Sequence, residues 1–222
     1  MNVLLFGATG MVGAGALLEC LDDARVDSVL IIGRRATGST HRKVHEEVRK
    51  NPADLSGLED RLAACDACFF CVGVSAAGLD EARYSRLTFD LTLRIADQLA
   101  ALRPDITFCY VSGAGTDSTE KGRFMWARVK GRTENRLLEL FPNAYMFRPG
   151  YIQPKRGVRS RTPLYRSLYA VAAPLYPVLK RLAPELMTTT VDVGRAMIAA
   201  SVDGYPKRIL EVGDINALAG RG

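Results

Sequence analysis

Among the 222 residues there is no run of about 18 consecutive apolar side chains, the length a membrane-spanning helix needs. The nearest approach, Leu164 to Leu182, is broken by Arg166, Pro174, Pro177, Lys180 and Arg181, so a transmembrane protein is not expected. The start, MNVLLFGATG, lacks the basic region and cleavage site of a secretory signal, and the five cysteines are an odd number set mostly in apolar runs. A reducing cytoplasm is the compartment these features point to. Histidine is scarce. His41 and His45 enclose Arg42 and Lys43, whose charge opposes a cation, and HExxH is absent. Cys65-x-x-Cys68-x-x-Cys71 runs onto a predicted strand, where side chains alternate, so Cys68 and Cys71 face opposite sides and cannot share an ion. No metal site is expected. The nucleophile pattern GxSxG is missing too, as is any internal repeat.

What is present is the composition of one ordinary globular domain. With 48% apolar and 24% charged residues, 20 Gly and 10 Pro, the chain is neither collagen-like, low-complexity nor wholly disordered. Its length builds one large core and not two full-sized ones, so 1–222 is expected to be a single domain. The formal charge of +6 favours anionic ligands. Without an aromatic-basic motif it does not make a nucleic-acid binder.

Apolar runs of strand length alternate with segments of helical period. Strands are predicted at Asn2 to Phe6, Ser28 to Ile32, Lys43 to Arg49, Ala67 to Val72, Ile106 to Val111 and Ala144 to Arg148. Helices are predicted at Met11 to Leu21, Ala82 to Leu102 and Met125 to Phe141, the last ended by Pro142 and Asn143. This alternation predicts an α/β fold with a doubly wound parallel sheet, because parallel strands need crossovers and a sheet covered twice has nearly continuous apolar strands. From Pro154 the rhythm breaks. A basic linker, KRGVRSR, leads into a Tyr- and Pro-rich segment, then a helix from Val191 to Ser201 and a strand from Arg208 to Val212. Residues 1–153 read as scaffold, and 154–222 as linker, small C-terminal cap and terminal elements. Segment 160–184 is apolar and aromatic with basic ends, a composition shared by a substrate cap, a homodimer surface and a peripheral membrane contact.

Gly7-Ala8-Thr9-Gly10-Met11-Val12-Gly13 joins the first strand to the first helix. Gly7 permits a sharp exit from the strand, Gly10 lets backbone approach a pyrophosphate, and Gly13 lets the helix pack closely. The N–H groups around Thr9, Met11 and Val12 attract a phosphate. At the end of the second strand stand Arg34 and Arg35, with no carboxylate beside them. Guanidiniums there favour NADP(H) over NAD(H), through contacts to the 2′-phosphate.

The GxxGxxG spacing resembles the cofactor loop of extended and atypical short-chain dehydrogenases/reductases, enzymes on a Rossmann fold related to NAD-dependent epimerases and dehydratases. The resemblance runs from Met1 to about Pro154 and more loosely beyond. It implies that Asp54 and Leu55 meet the adenine, although Asp54 could equally be a helix cap, and that Cys71, Val72 and Gly73 pass under the adenine and its ribose. It implies that Pro149, Gly150, Tyr151 and Ile152, at the carboxyl end of the sixth strand, lie beside the nicotinamide.

Ser112 and Lys130 resemble two members of the family's Ser-Tyr-Lys set. In that family Ser holds the substrate oxygen, and Lys binds the nicotinamide ribose and lowers the pKa of a Tyr that transfers the proton. The family's Tyr-x-x-x-Lys is replaced here by Trp126-Ala127-Arg128-Val129-Lys130, and an indole N–H cannot titrate. Trp126 is then either a wall against nicotinamide or substrate, or core. Tyr151 is the candidate substitute acid, with a packing aromatic as its other reading. These residues imply an NADP(H)-binding oxidoreductase or epimerase acting on a small carbonyl or hydroxyl compound. The alternative is a non-catalytic, NADPH-sensing regulatory protein, associated or not with a membrane surface.

Overall fold

The computed structural model describes residues 1–158 and 184–220. Seven strands form the main sheet: β1 (Asn2–Phe6), β2 (Ser28–Gly33), β3 (Val44–Val48), β4 (Ala67–Phe70), β5 (Thr107–Val111), β6 (Ala144–Arg148) and, after two short strands of a second sheet, β9 (Ile209–Glu211). Their order is β3-β2-β1-β4-β5-β6-β9 and every pair is parallel. The central strands are apolar on both faces because both faces are covered. In β1, Val3 and Leu5 enter one core while Leu4 and Phe6 enter the other; in β2, Val29 and Ile31 oppose Leu30 and Ile32. Cys68 and Cys71 fall into opposite cores by the same alternation.

One face is covered by α1 (Met11–Asp22) together with two helices of the C-terminal part, α6 (Thr190–Asp203) and α7 (Val212–Ala219). The other is covered by α2 (Glu59–Ala63), α4 (Leu91–Leu102) and α5 (Met125–Leu140). On that side Phe6, Phe70, Phe108 and Phe141 form a row with ring centroids 5.5, 5.9 and 4.9 Å apart. The helix predicted from Ala82 to Leu102 starts one residue earlier as α3 (Glu81–Ser85), capped by the Asp80 side chain, and passes through a π-helical turn at Arg86–Asp90 before α4. Such a turn holds an extra residue without breaking the helix.

Of the tail expected to form linker and cap, residues 159–183, which carry almost all of segment 160–184, lie outside the described residues. The chain from Pro184 onward is built into the scaffold. β8 (Met187–Thr189) pairs in parallel with β7 (Tyr151–Gln153), α6 packs on α1, and β9 extends the sheet beyond β6. Scaffold therefore continues past residue 153. No described helix is long and apolar enough to cross a membrane.

Two features hold these parts together. At the α1–α6 seam, a Cβ on Gly15 would lie 2.5 Å from Cβ of Thr190, and one on Gly194 would lie 2.9 Å from Cγ of Glu19. Beside it the buried Glu19 carboxylate accepts from Arg156 at 2.8 Å and from Arg195 at 3.0 Å. Between α5 and β6, the Arg148 guanidinium grips both oxygens of Glu134, with Nε 3.1 Å from each, and its Nη2 donates to Ser118 Oγ at 2.6 Å. Glu134 has no exposed surface, and Glu211 of β9 faces Arg148 at 3.4 Å.

Gly194→Leu should force the α1–α6 seam apart and lower unfolding free energy by about 1–3 kcal/mol, read as a lower urea midpoint. Glu134→Ala should cost about 3–5 kcal/mol because it strands a buried guanidinium, whereas Glu139→Ala, which removes an exposed partner 2.9 Å from Arg136, should cost at most about 1 kcal/mol.

Candidate functional site

Because the strands are parallel, β1, β2, β4, β5 and β6 end along one edge, and a cleft of about 1110 Å³ opens there. That is slightly above the roughly 300–1,000 Å³ of sites for small ligands, and ample for a dinucleotide. Its floor is the turn after β1. Gly7 sits at φ +83°, a region L side chains avoid, and a Cβ there would lie 2.6 Å from the Cys71 carbonyl oxygen. Gly13 lies outside the cleft lining. A Cβ on it would stand 2.2 Å from the Gly7 carbonyl oxygen, so its absence lets α1 seat directly on the turn. Helix α1 begins at an N-cap, Gly10, without a side-chain cap and without an acidic residue in its first turn. Its first N–H groups therefore face the cleft unpaired, beside Thr9, Met11 and Val12, which line it. The backbone, the missing Cβ of Gly10 and the helix start fit a bound pyrophosphate.

Arg34 and Arg35 line the same cleft at the end of β2, exposed and without a hydrogen bond or ion pair to any described residue. Lys50 joins them. The Arg49 N–H donates to the Gly33 carbonyl at 2.8 Å, which carries the chain after β3 alongside the end of β2. No Asp or Glu lines the cleft among the described residues. Lys50, like the lining residues Val74, Leu87 and Leu91, was invisible to motif reading. A single Lys in a polar stretch carries no signal until strand pairing places it.

Asp54 and Leu55 do not reach the cleft, which corrects the adenine role expected for them. Leu55 is buried in the core between sheet and α4. The Asp54 carboxylate accepts from the Ser56 hydroxyl at 2.6 Å and the Ser56 N–H at 3.2 Å, a turn-forming pattern that leads towards α2. Those bonds hold its pKa below the ordinary carboxylate value. Cys71, Val72 and Gly73 do line the cleft, and burial pushes the Cys71 thiol far up, so it stays protonated.

At the other end stand Ser112 and Lys130, brought together by β5 and α5. The Lys130 ammonium donates to the Ser112 carbonyl oxygen. Burial lowers its pKa to about 8, opposed by the negative charge of Glu134 one helical turn along. Ser112 Oγ donates to the Phe147 carbonyl at 3.0 Å, which leaves the hydroxyl oxygen free only to accept. Pro149, Gly150 and Ile152 line this end, but Tyr151 does not. It belongs to β7, where side chains alternate, so it points away from the side shown by Gly150 and Ile152, and its hydroxyl donates to Gln153 Oε1 at 2.9 Å. The substitute acid expected at Tyr151 is thus not brought to the cleft. Trp126 is half-buried and lies outside the lining as well; its ring edge covers the loop at Gly115, where a Cβ would come within 3.4 Å of Cη2.

Comparison with known proteins bears on this geometry. No family model matches the chain. It is 30% identical over 163 residues to protein fmp52, mitochondrial, of Emericella nidulans, covering 70% of this chain and 68% of that protein. It is 28% identical over 155 residues to protein HTATIP2 of Rattus norvegicus, covering 68% of this chain and 62% of that protein. A further match, leucinostatins biosynthesis cluster protein T of Purpureocillium lilacinum, is 30% identical over 144 residues, 63% of this chain, and this chain spans only 52% of its length. Among solved structures, the enzyme WbmF of Bordetella bronchiseptica in complex with NADH superposes with a TM-score of 0.67 at 17% identity, over 99% of this chain and 75% of that one. The YIR035C short-chain dehydrogenase/reductase of Saccharomyces cerevisiae gives 0.65 at 13% identity, over 99% and 98%. The cytoplasmic location expected from cysteine usage and the N-terminus is contradicted by the fungal relatives, whose names place those proteins in mitochondria. Free cysteines suit any reducing compartment and do not separate the two. On the identity and coverage shared with the Emericella protein, and with a Rossmann fold common to short-chain dehydrogenases/reductases and NAD-dependent epimerases, the chain belongs to the fmp52 family.

Proposed function

We propose that the chain is an NADP(H)-binding oxidoreductase, or an epimerase using the same hydride chemistry, that acts on a small carbonyl or hydroxyl compound. The observation that carries the cofactor preference is the trio Arg34, Arg35 and Lys50 in a cleft without a carboxylate. An Asp or Glu would hold the ribose hydroxyls of NAD(H) and repel a 2′-phosphate; three unpaired cations do the reverse. The WbmF structures hold NAD+ and NADH, so this preference rests on the residues of this chain alone.

Bound in the cleft, a nicotinamide supplies or accepts hydride. The start of α1 holds the pyrophosphate, and Arg34, Arg35 and Lys50 hold the 2′-phosphate. Lys130 binds the nicotinamide ribose, and the Ser112 oxygen accepts from a substrate hydroxyl. Trp126 and Tyr151, both outside the lining, favour a second reading in which the chain binds NADPH, reports it to a partner and catalyses nothing.

Titration calorimetry should find NADPH bound at least about 10-fold more tightly than NADH, about 1.4 kcal/mol, and the double variant Arg34→Ala/Arg35→Ala should remove most of that difference. Equal affinities in the unaltered protein would remove the role given to these residues. Oxidation of NADPH by a panel of aldehydes and ketones separates the two readings: turnover supports the enzyme, and tight binding without turnover supports the sensor.

A further inference from the structure

Reduction of a carbonyl needs a proton for the oxygen, and the described lining residues offer no tyrosine to give it. Among the described residues, those lining the cleft at the β5 and β6 ends with Lys130 are Val111, Ser112, Gly113, Ala114, Pro149 and Gly150, none of which titrates. The Ser112 proton is already committed to the Phe147 carbonyl. We propose that Lys130 is itself the proton donor of this site, and that Glu134 and Arg148 position its charge. The proposal rests on the oxidoreductase reading above and goes beyond it in naming the acid.

Several features of the geometry agree. Among the described residues the ammonium is anchored only to the Ser112 carbonyl, and it stands 3.7 Å from where a Cβ of Gly113 would be, so it lies at the wall where the β5 end meets the cleft. A lysine in that place would normally be tied to the carboxylate four residues along its own helix. Here Glu134 is turned to Arg148, which takes both of its oxygens, and Arg148 is in turn faced by Glu211 from β9. Glu134 is the charged group felt at the Lys130 amine, and it acts to retain the proton; burial acts to release it and wins, leaving a pKa of about 8. An ammonium with that pKa is charged at neutral pH and can still part with a proton, which suits a general acid.

In the step, the carbonyl carbon receives hydride from a dihydronicotinamide, the π pair moves onto oxygen, an N–H bond of Lys130 breaks and an O–H bond forms. The neutral amine then regains a proton from water. The acid form must be present at the start, so turnover is full below the Lys130 pKa and falls as pH rises through it.

Three measurements on the whole chain test this: NADPH affinity, NADPH-dependent carbonyl reduction against pH, and acylation of the Lys130 amine against pH without cofactor, read by mass spectrometry. Lys130→Arg keeps the charge but never releases a proton in the assay range. It should still bind NADPH and lose on the order of 10²-fold or more in turnover. In the unaltered protein the acylation midpoint should fall near pH 8 and coincide with the alkaline limb of kcat/KM. Glu134→Gln, which leaves an amide oxygen for Arg148 but removes its counter-charge, should move both to lower pH together if it folds; should either variant not fold, the coincidence of the two midpoints in the unaltered protein decides the matter. Turnover retained in Lys130→Arg, or an acylation midpoint near the ordinary lysine value of about 10.4, overturns the donor role alone. Loss of turnover in Tyr165→Phe, Tyr169→Phe or Tyr176→Phe with Lys130→Arg still active would assign the proton to that tyrosine. A protein that binds NADPH and reduces no carbonyl overturns the oxidoreductase reading itself, and the donor role with it.

Discussion

Because every pair in the main sheet is parallel, each strand must be reached by a crossover, and the strand ends with the helix starts that succeed them gather on one edge. That edge is where backbone N–H groups lack partners and where anions are attracted. The turn at Gly7, the uncapped start of α1, and the exposed cations after β2 and β3 all result from it. Burial of the strands on both faces is the other side of the same constraint. It demands two cores, one behind α1, α6 and α7 and one behind α2, α4 and α5.

Electrostatically the two ends of the cleft are made differently. At the β2 end, charge is exposed and unpaired, so it is screened and available to a multivalent anion. At the β5–β6 end it is withdrawn from water. Glu134 and Arg148 neutralise each other in the core, and Lys130 stands over them at the boundary. A buried pair of this kind adds little net stability, yet its members cannot be removed singly. It fixes α5 relative to β6, and so fixes the distance between the Lys130 amine and the strand ends.

The parts legible in the sequence are those whose residues answer to a local rule. The runs NVLLF and AYMFR are strands with the bounds expected, and α1 and α5 end within a residue of where periodicity and Pro142 put them. Four short elements escaped: α2, β7, β8 and α7 are too short for a helical or strand period to emerge, and they exist because neighbours supply their partners. The same division runs through the site. GxxGxxG announces a turn because its demands are mostly local: Gly7 takes a positive φ, and Gly10 and Gly13 both crowd the Gly7 carbonyl. Lys50 depends on which strand lies beside β2. The failure at Asp54 came from chemistry that suits two tasks equally, since a short carboxylate that could meet an adenine also closes its own turn onto Ser56. Tyr151 was assigned by its neighbours in sequence, and strand alternation turned it the other way.

The π-helical turn at Arg86–Asp90 bears on how the cleft could change over time. An α-helix advances by about 100° per residue, so a turn holding one residue too many rotates everything before it by that angle relative to everything after. Tyr84, buried ahead of the turn, and Leu91 and Ile95, lining the cleft behind it, occupy faces that a helix of regular pitch would not align in this way. Loss of a single residue there would leave the helix intact and its composition almost unchanged, while swinging Leu87 off the wall it helps to form. At this wall, the shape offered to a ligand is set by a count of residues more than by their kind.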